Sequence, residues 1–193
     1  MRIILLTGFE PFAKASLNPS AEIVKQIRHE SVVAAILPVA YKSSAETLLA
    51  LINEHSPDVV IMLGQAEGRT QITPERIAIN LDDARIPDNE GELRINEEII
   101  KGGPVAFRST LPVVEIVEAL KSVDIPATVS LSAGAFLCNH IFYIAQRTFE
   151  GTSVRSGFIH VPLMDEQRDE FPGLPTMPLD QMVKAVEIIL KSI

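Results

Sequence analysis

Asp58-Val59-Val60-Ile61-Met62-Leu63-Gly64 decides the fold. An unbroken apolar run leaves no polar face, so it reads as a strand covered on both sides, as in parallel sheets. Gly64 ends it. Upstream, Ile3 to Leu6 has the same character, and Val32 to Val39 returns to strand. Helical signals lie between. Asn18-Pro19-Ser20 can open a helix, with Asn as cap and Pro in the first position, and Val24 and Ile27 continue its stripe. Ser43-Ser44-Ala45-Glu46 fits a capping box, and Leu48, Leu49 and Ile52 follow at helical spacing. Downstream, Ile77 and Ile79 alternate with Ala78 and Asn80 as a short strand. Residues 83–104 carry the turn signals Pro87-Asp88-Asn89-Glu90-Gly91 and Gly102-Gly103-Pro104, and read as a long loop of the kind that often serves function. Val113, Ile116, Val117 and Leu120 mark a helix, Ala127 to Leu131 a strand, Phe136 to Ala145 a helix, and Phe158 to Val161 a strand. Pro172, Pro175 and Pro178 break the chain before a last helix with Met182, Val186 and Ile189. The repeated strand–helix order predicts an α/β sandwich on a mostly parallel sheet. Ligands of such sheets bind outside the carboxyl ends of the strands.

The 193 residues suit a single domain, 1–193, and a 47% apolar content can fill a large core. A formal charge of −8 repels phosphate backbones, which makes nucleic acid and anionic membranes poor partners. One cysteine forms no internal disulfide, so no oxidising compartment is implied. The opening apolar stretch reaches Gly8-Phe9-Glu10 too soon for a secretory core, and no run approaches a membrane span of about 20 residues. These features point to the cytoplasm. No zinc spacing, phosphate loop or Gly-x-Ser-x-Gly elbow is present, so the expected chemistry uses no metal and no cofactor.

The chemistry concentrates in Ser130-Leu131-Ser132-Ala133-Gly134-Ala135-Phe136-Leu137-Cys138-Asn139-His140. A strand ends, small residues turn, and a helix begins. Cys138 then falls in the first helical turns, where the positive dipole end favours a thiolate, the nucleophilic form of cysteine. Position alone does not decide between this and a buried structural cysteine. Among four histidines, His29 and His55 fall near helix C-termini, where a partly positive imidazole complements the dipole. His140 is two residues from Cys138 and does not share its helical face. His160 lies at the end of a strand; if the intervening helix crosses between neighbouring parallel strands, Cys138 and His160 meet at the carboxyl edge. A third group should orient the imidazole. Spacing leaves Glu75, Glu67 and Asp88 all open.

At this point the motifs match a known family. The chain resembles pyroglutamyl peptidase I, a cysteine peptidase family. The resemblance rests on Thr7-Gly8-Phe9-Glu10-Pro11-Phe12 with Asn18-Pro19, Gly64-Gln65-Ala66 with Gly68-Arg69, Ile72 to Asn80, Ala84 to Gly91, Ser132-Ala133-Gly134 with Cys138-Asn139-His140, and Gly157 to Pro162. It implies a three-layer α/β/α sandwich, often assembled as a homotetramer, that removes N-terminal pyroglutamyl residues from peptides. It implies Cys138 as nucleophile, His160 as base and Glu75 as the orienting acid. It also implies a ring site of Phe9, Phe12, Val39, Ile86, Phe136 and Leu137, with Asn18 and Gln65 bonding the lactam. An uncharged slot of this kind disfavours glutamate, whose carboxylate would be stranded.

Some positions depart from the family pattern. Ala13-Lys14 stands where two glycines usually follow Phe12. Glu67 replaces a small residue, and Val39 sits where some members carry a polar one. The stretch between Cys138 and His160 looks short. The changed loop after Phe12 keeps a second reading in view, an amidase acting on another small acyl group.

Overall fold

The computed structural model describes residues 2–193. The strands and helices are β1 (Ile4–Phe9), α1 (Pro19–Gln26), β2 (Val32–Leu37), α2 (Tyr41–His55), β3 (Val59–Gln65), β4 (Thr73–Pro74), β5 (Ile77–Ile79), β6 (Ala106–Arg108), α3 (Val113–Lys121), α4 (Leu137–Thr148), β7 (Arg155–Val161), β8 (Leu163–Met164), β9 (Thr176–Met177) and α5 (Leu179–Ser192). The central sheet has the order β2-β1-β3-β7-β4. Its first four strands are mutually parallel, and only the two-residue β4 runs antiparallel, against β7.

Alternation along the strands sorts the core into two layers. Ile4 and Leu6 of β1, Val59, Ile61 and Leu63 of β3, and Ile159 and Val161 of β7 pack with α1, α3 and α5. Leu5, Val60, Met62 and Phe158 face the other way, onto α2 and α4. The molecule is therefore a three-layer α/β/α sandwich. By the same alternation Gly64 and His160 belong to the α4 face. They are register partners, which puts them side by side where β3 and β7 end.

The expected strands at 3–6, 32–39, 58–63, 77–79 and 158–161 and the expected helices correspond to β1, β2, β3, β5, β7 and α1–α5 within a few residues. Three expectations are corrected. Residues 127–131 are extended but join the sheet only through isolated bridges, Ala127 to Ile72 and Ser130 to Glu75. Their partner β4 is two residues long, and Pro74 offers no N–H to prolong a ladder. Those bridges are parallel to a strand antiparallel to β7, so α4 is not a crossover between neighbouring parallel strands. Finally, α2 begins at Tyr41, before the expected Ser43 cap. Asp88 supplies the cap instead, its Oδ2 accepting from Tyr41 N at 2.9 Å, while the Ser43 hydroxyl bonds Glu90.

Candidate active site

Cys138 is the second residue of α4. Phe136, the N-cap, provides no side-chain cap, so the first N–H groups of the helix lack intrahelical acceptors. The thiol reaches back over the end of β3. A Cβ on Gly64 would lie 2.9 Å from Cys138 Sγ and 2.6 Å from Phe158 Cζ, so only glycine leaves room for the sulfur. The carboxyl-edge placement thus holds without the expected crossover. It comes from close approach of α4 to Gly64.

His160, buried near the end of β7, bonds the equally buried Glu75 through Nδ1 at 2.7 Å to Oε1. Glu75 directly follows β4, and its own N–H donates to Phe158 O at 2.9 Å, which fixes the carboxylate beside the imidazole. The other open candidates go elsewhere. Glu67 is exposed, and Asp88 is spent on α2 and on the amides of Glu90 and Glu92. His140 bonds Asp82 at 2.8 Å, His29 bonds Ser31, and His55 ends α2. Among the described residues, no three His, Cys, Asp or Glu side chains gather as a metal-binding group.

Burial pushes the Cys138 thiol up to about 12; the nearby Glu75 carboxylate adds to the rise, while Arg69 and the residue's own N–H oppose it. Burial also pulls the His160 imidazole below its ordinary range, against the Glu75 hydrogen bond and carboxylate charge that favour its protonated form. Both shifts favour the neutral forms of thiol and imidazole, and they oppose the pull of the helix start toward a thiolate.

Cys138 and His160 open into a cavity of about 240 Å³ lined by Phe9, Phe12, Asn18, Val39, Gln65, Phe136 and Leu137. Ile86 is the exception among the expected ring residues. It is 43% exposed and lines a neighbouring depression that shares Gly134 and Phe136 with the cavity. The loop of Pro87 to Gly91 turns back to cap α2 and carries Ile86 outward with it. Within the cavity the Gln65 carbonyl accepts from Gln167 Nε2 at 2.9 Å, while Gln65 Nε2 is buried without an acceptor. Asn18 is largely committed: Oδ1 accepts from Ser20 N and Oγ, and Nδ2 donates to Glu10 O at 3.0 Å.

Two participants escaped the sequence reading of roles. Gln167, beyond β8, orients Gln65. Arg69 lines the cavity and donates to Glu75 Oε1 at 2.6 Å, to Thr73, and to Ser132 O at 3.1 Å. Gly68 at φ 79° is the available signal, since that left-handed turn brings the next residue back toward the strand it left.

A thiol at a helix start, an imidazole at a parallel-sheet edge and a carboxylate behind it define the class of α/β thiol hydrolases. The sequence profile of the pyroglutamyl peptidase family matches residues 2–193. The pyrrolidone-carboxylate peptidase of Vibrio vulnificus strain YJ016 is 47% identical over 195 residues, covering 98% of this chain and 92% of that protein. That of Bacillus licheniformis is 47% identical over 192 residues, covering 96% and 89%. Crystal structures agree: pyroglutamyl peptidase I of Bacillus amyloliquefaciens superposes with TM-score 0.96 at 42% identity, covering 100% and 96% of the two chains. Pyrrolidone carboxyl peptidase of Thermococcus litoralis gives 0.93 at 40% identity, covering 100% and 93%. The chain belongs to the pyroglutamyl peptidase family.

Proposed function

We propose that residues 1–193 form one hydrolase domain that removes N-terminal pyroglutamyl residues from peptides through a Cys138 thioester. The observation that carries this is the joining of an apolar slot to Cys138 and His160 in one cavity, with Gln65 Nε2 as a free buried donor. A neutral five-membered lactam suits such a slot: the ring fills apolar space and its carbonyl satisfies the orphan amide. A glutamate carboxylate would lose hydration there without a cation of its own, because Arg69 is already committed to Glu75.

Glu75 on Nδ1 leaves Nε2 of His160 for the thiol. From a neutral pair, the proton passes from Sγ to Nε2 as sulfur attacks the pyroglutamyl carbonyl carbon. The oxyanion is held by N–H groups at the start of α4, with that of Cys138 foremost. The C–N bond breaks as Nε2–H protonates the leaving amine. Water then attacks the thioester, giving its proton to His160, and the thiol is restored as pyroglutamate departs.

The activity is that of a reducing compartment, the cytoplasm, where the single thiol stays free. Among the described residues no helix is long and apolar enough to cross a membrane. Exposed Leu93, Ile95 and Val105 support association of copies into the homotetramer, which sedimentation velocity tests.

Fluorophore release from a pyroglutamyl amide, with the prolyl amide as control and iodoacetamide added to each, tests the reading. Only the pyroglutamyl compound should be cleaved, and alkylation or Cys138→Ala should abolish it. Folded, reduced protein that cleaves neither compound would overturn the substrate assignment and favour an amidase of other acyl preference, for which the altered loop after Phe12 is the motive.

A further inference from the structure

Glu75 Oε1 carries two short donors, His160 Nδ1 at 2.7 Å and Arg69 Nη1 at 2.6 Å. Its other oxygen, Oε2, is buried without a partner. All the polar support of this carboxylate is therefore gathered on the atom that faces the imidazole. The same guanidinium reaches on to Thr73, whose residue pairs with His160 in the sheet, and through Nη2 to the carbonyl of Ser132. Ser132 opens the turn that runs through Gly134 into α4 and Cys138, and its own Oγ accepts from Gly134 N at 3.1 Å.

We infer that Arg69 is a positioning residue for this reaction: one guanidinium ties the carboxylate that orients His160 to the turn that delivers Cys138, so base and nucleophile are set in register by a single side chain. The planar fork of arginine suits this, because two nitrogens point at two acceptors at once, which an ammonium cannot reproduce. The arrangement also separates duties. His160 needs a carboxylate partner to stabilise the imidazolium formed in the transition state. It must still be a neutral base at rest. The charged groups facing His160 are Glu75, from the end of β4, and Arg69, from the loop after β3; the titratable Cys138 shares the cavity from α4. Arg69 offsets part of the Glu75 charge, so the hydrogen bond orients the ring without driving it to hold a proton.

This inference rests on Glu75, His160 and Cys138 acting together, and its test is separable from that reading. Carbon-detected NMR titration of the His160 ring needs no substrate. Compared with wild type, Arg69→Met should raise the titration midpoint of His160, because a facing cation has gone. Arg69→Lys should keep the midpoint near wild type yet lose turnover, since a charge remains but the fork does not. With a pyroglutamyl amide, kcat/KM of Arg69→Met should fall about 100-fold, the scale of a misplaced catalytic group, with its acid limb moved to higher pH. Added guanidinium should restore part of the rate in Arg69→Ala, because the side chain is 28% exposed and its place is open to a small ion. An unmoved His160 midpoint in a folded Arg69→Met, or wild-type turnover in Arg69→Lys, would overturn the inference. If Cys138→Ala retained activity while the midpoint still moved, the triad reading would fail and the electrostatic link alone would stand.

Discussion

Ala13 holds φ 53°, a left-handed backbone that an L side chain adopts at a cost of about 1–2 kcal/mol. The loop is anchored around it. Ala15 N bonds Phe12 O, Ser16 bonds Glu170, and Lys14 lies over the Phe171 ring at 5.1 Å. These contacts hold Ala13 in a conformation that glycine adopts freely. Ala13→Gly should therefore stabilise the fold by up to about 1 kcal/mol, the relieved strain less the extra entropy of an unfolded glycine. The urea midpoint checks this, and an unchanged or lower midpoint would mean that the turn is not strained. Residues differ in how openly the sequence declares them. Cys138 and His160 are legible because strand, turn and helix periodicities end beside them. Glu75 is not, because the element that aims it is only Thr73-Pro74, too short for any period to register. Arg69 is hidden for a related reason. Its role depends on a backbone reversal at Gly68 and on acceptors 4, 6 and 63 positions away.

Asn139 ties helix α4 to strand β5 of the small β5–β6 sheet. Asn139 Oδ1 accepts from Ile79 N at 2.9 Å, and Nδ2 donates to Ile79 O at 2.9 Å and Leu81 O at 3.0 Å. The amide thus closes the free edge of β5 one residue after the nucleophile, and it is fully buried. Asn139→Leu, of similar size, removes the partner of one N–H and two carbonyls that are partly buried, at a total cost of about 1–3 kcal/mol. We expect a lower urea midpoint and faster hydrogen exchange at Ile79. Protection equal to wild type would show that the edge is held without the amide. The same logic explains where element boundaries departed from local signals. Ser43 and Glu46 make a sound capping box, but Asp88 arrives from the long loop and caps α2 three residues earlier, at Tyr41. That loop also reaches the cavity wall, since Asn89 N donates to Val39 O and its Nδ2 to Glu10 and Pro11. The turn chemistry of 87–91 was readable. Its partners lie 47 to 79 residues away and were not.

For the whole molecule, a raised thiol pKa at Cys138 and a lowered imidazole pKa at His160 set a stability window in pH. The sign follows from proton counting. Below about 6.5, the ordinary imidazole value, the unfolded chain takes up a proton at His160 that the folded protein, with its lowered affinity, does not. Stability therefore falls as pH drops from that value through the folded pKa. At the alkaline end the unfolded Cys138 loses its proton near 9.0 while the folded thiol keeps it to about 12, so stability falls as pH rises between them. The self-repulsion of a chain at −8 grows in the same direction, but it is shared by any variant that keeps the surface. Comparing Tm of wild type and Cys138→Ala across pH isolates the thiol. The two curves should run parallel from about pH 7 to 8.5, below the ordinary thiol value, and wild type should then fall more steeply. Parallel curves throughout the alkaline range would mean that the folded thiol ionises like an unfolded one. The steeper wild-type fall would support a nucleophile that is neutral at rest and deprotonated only as it attacks.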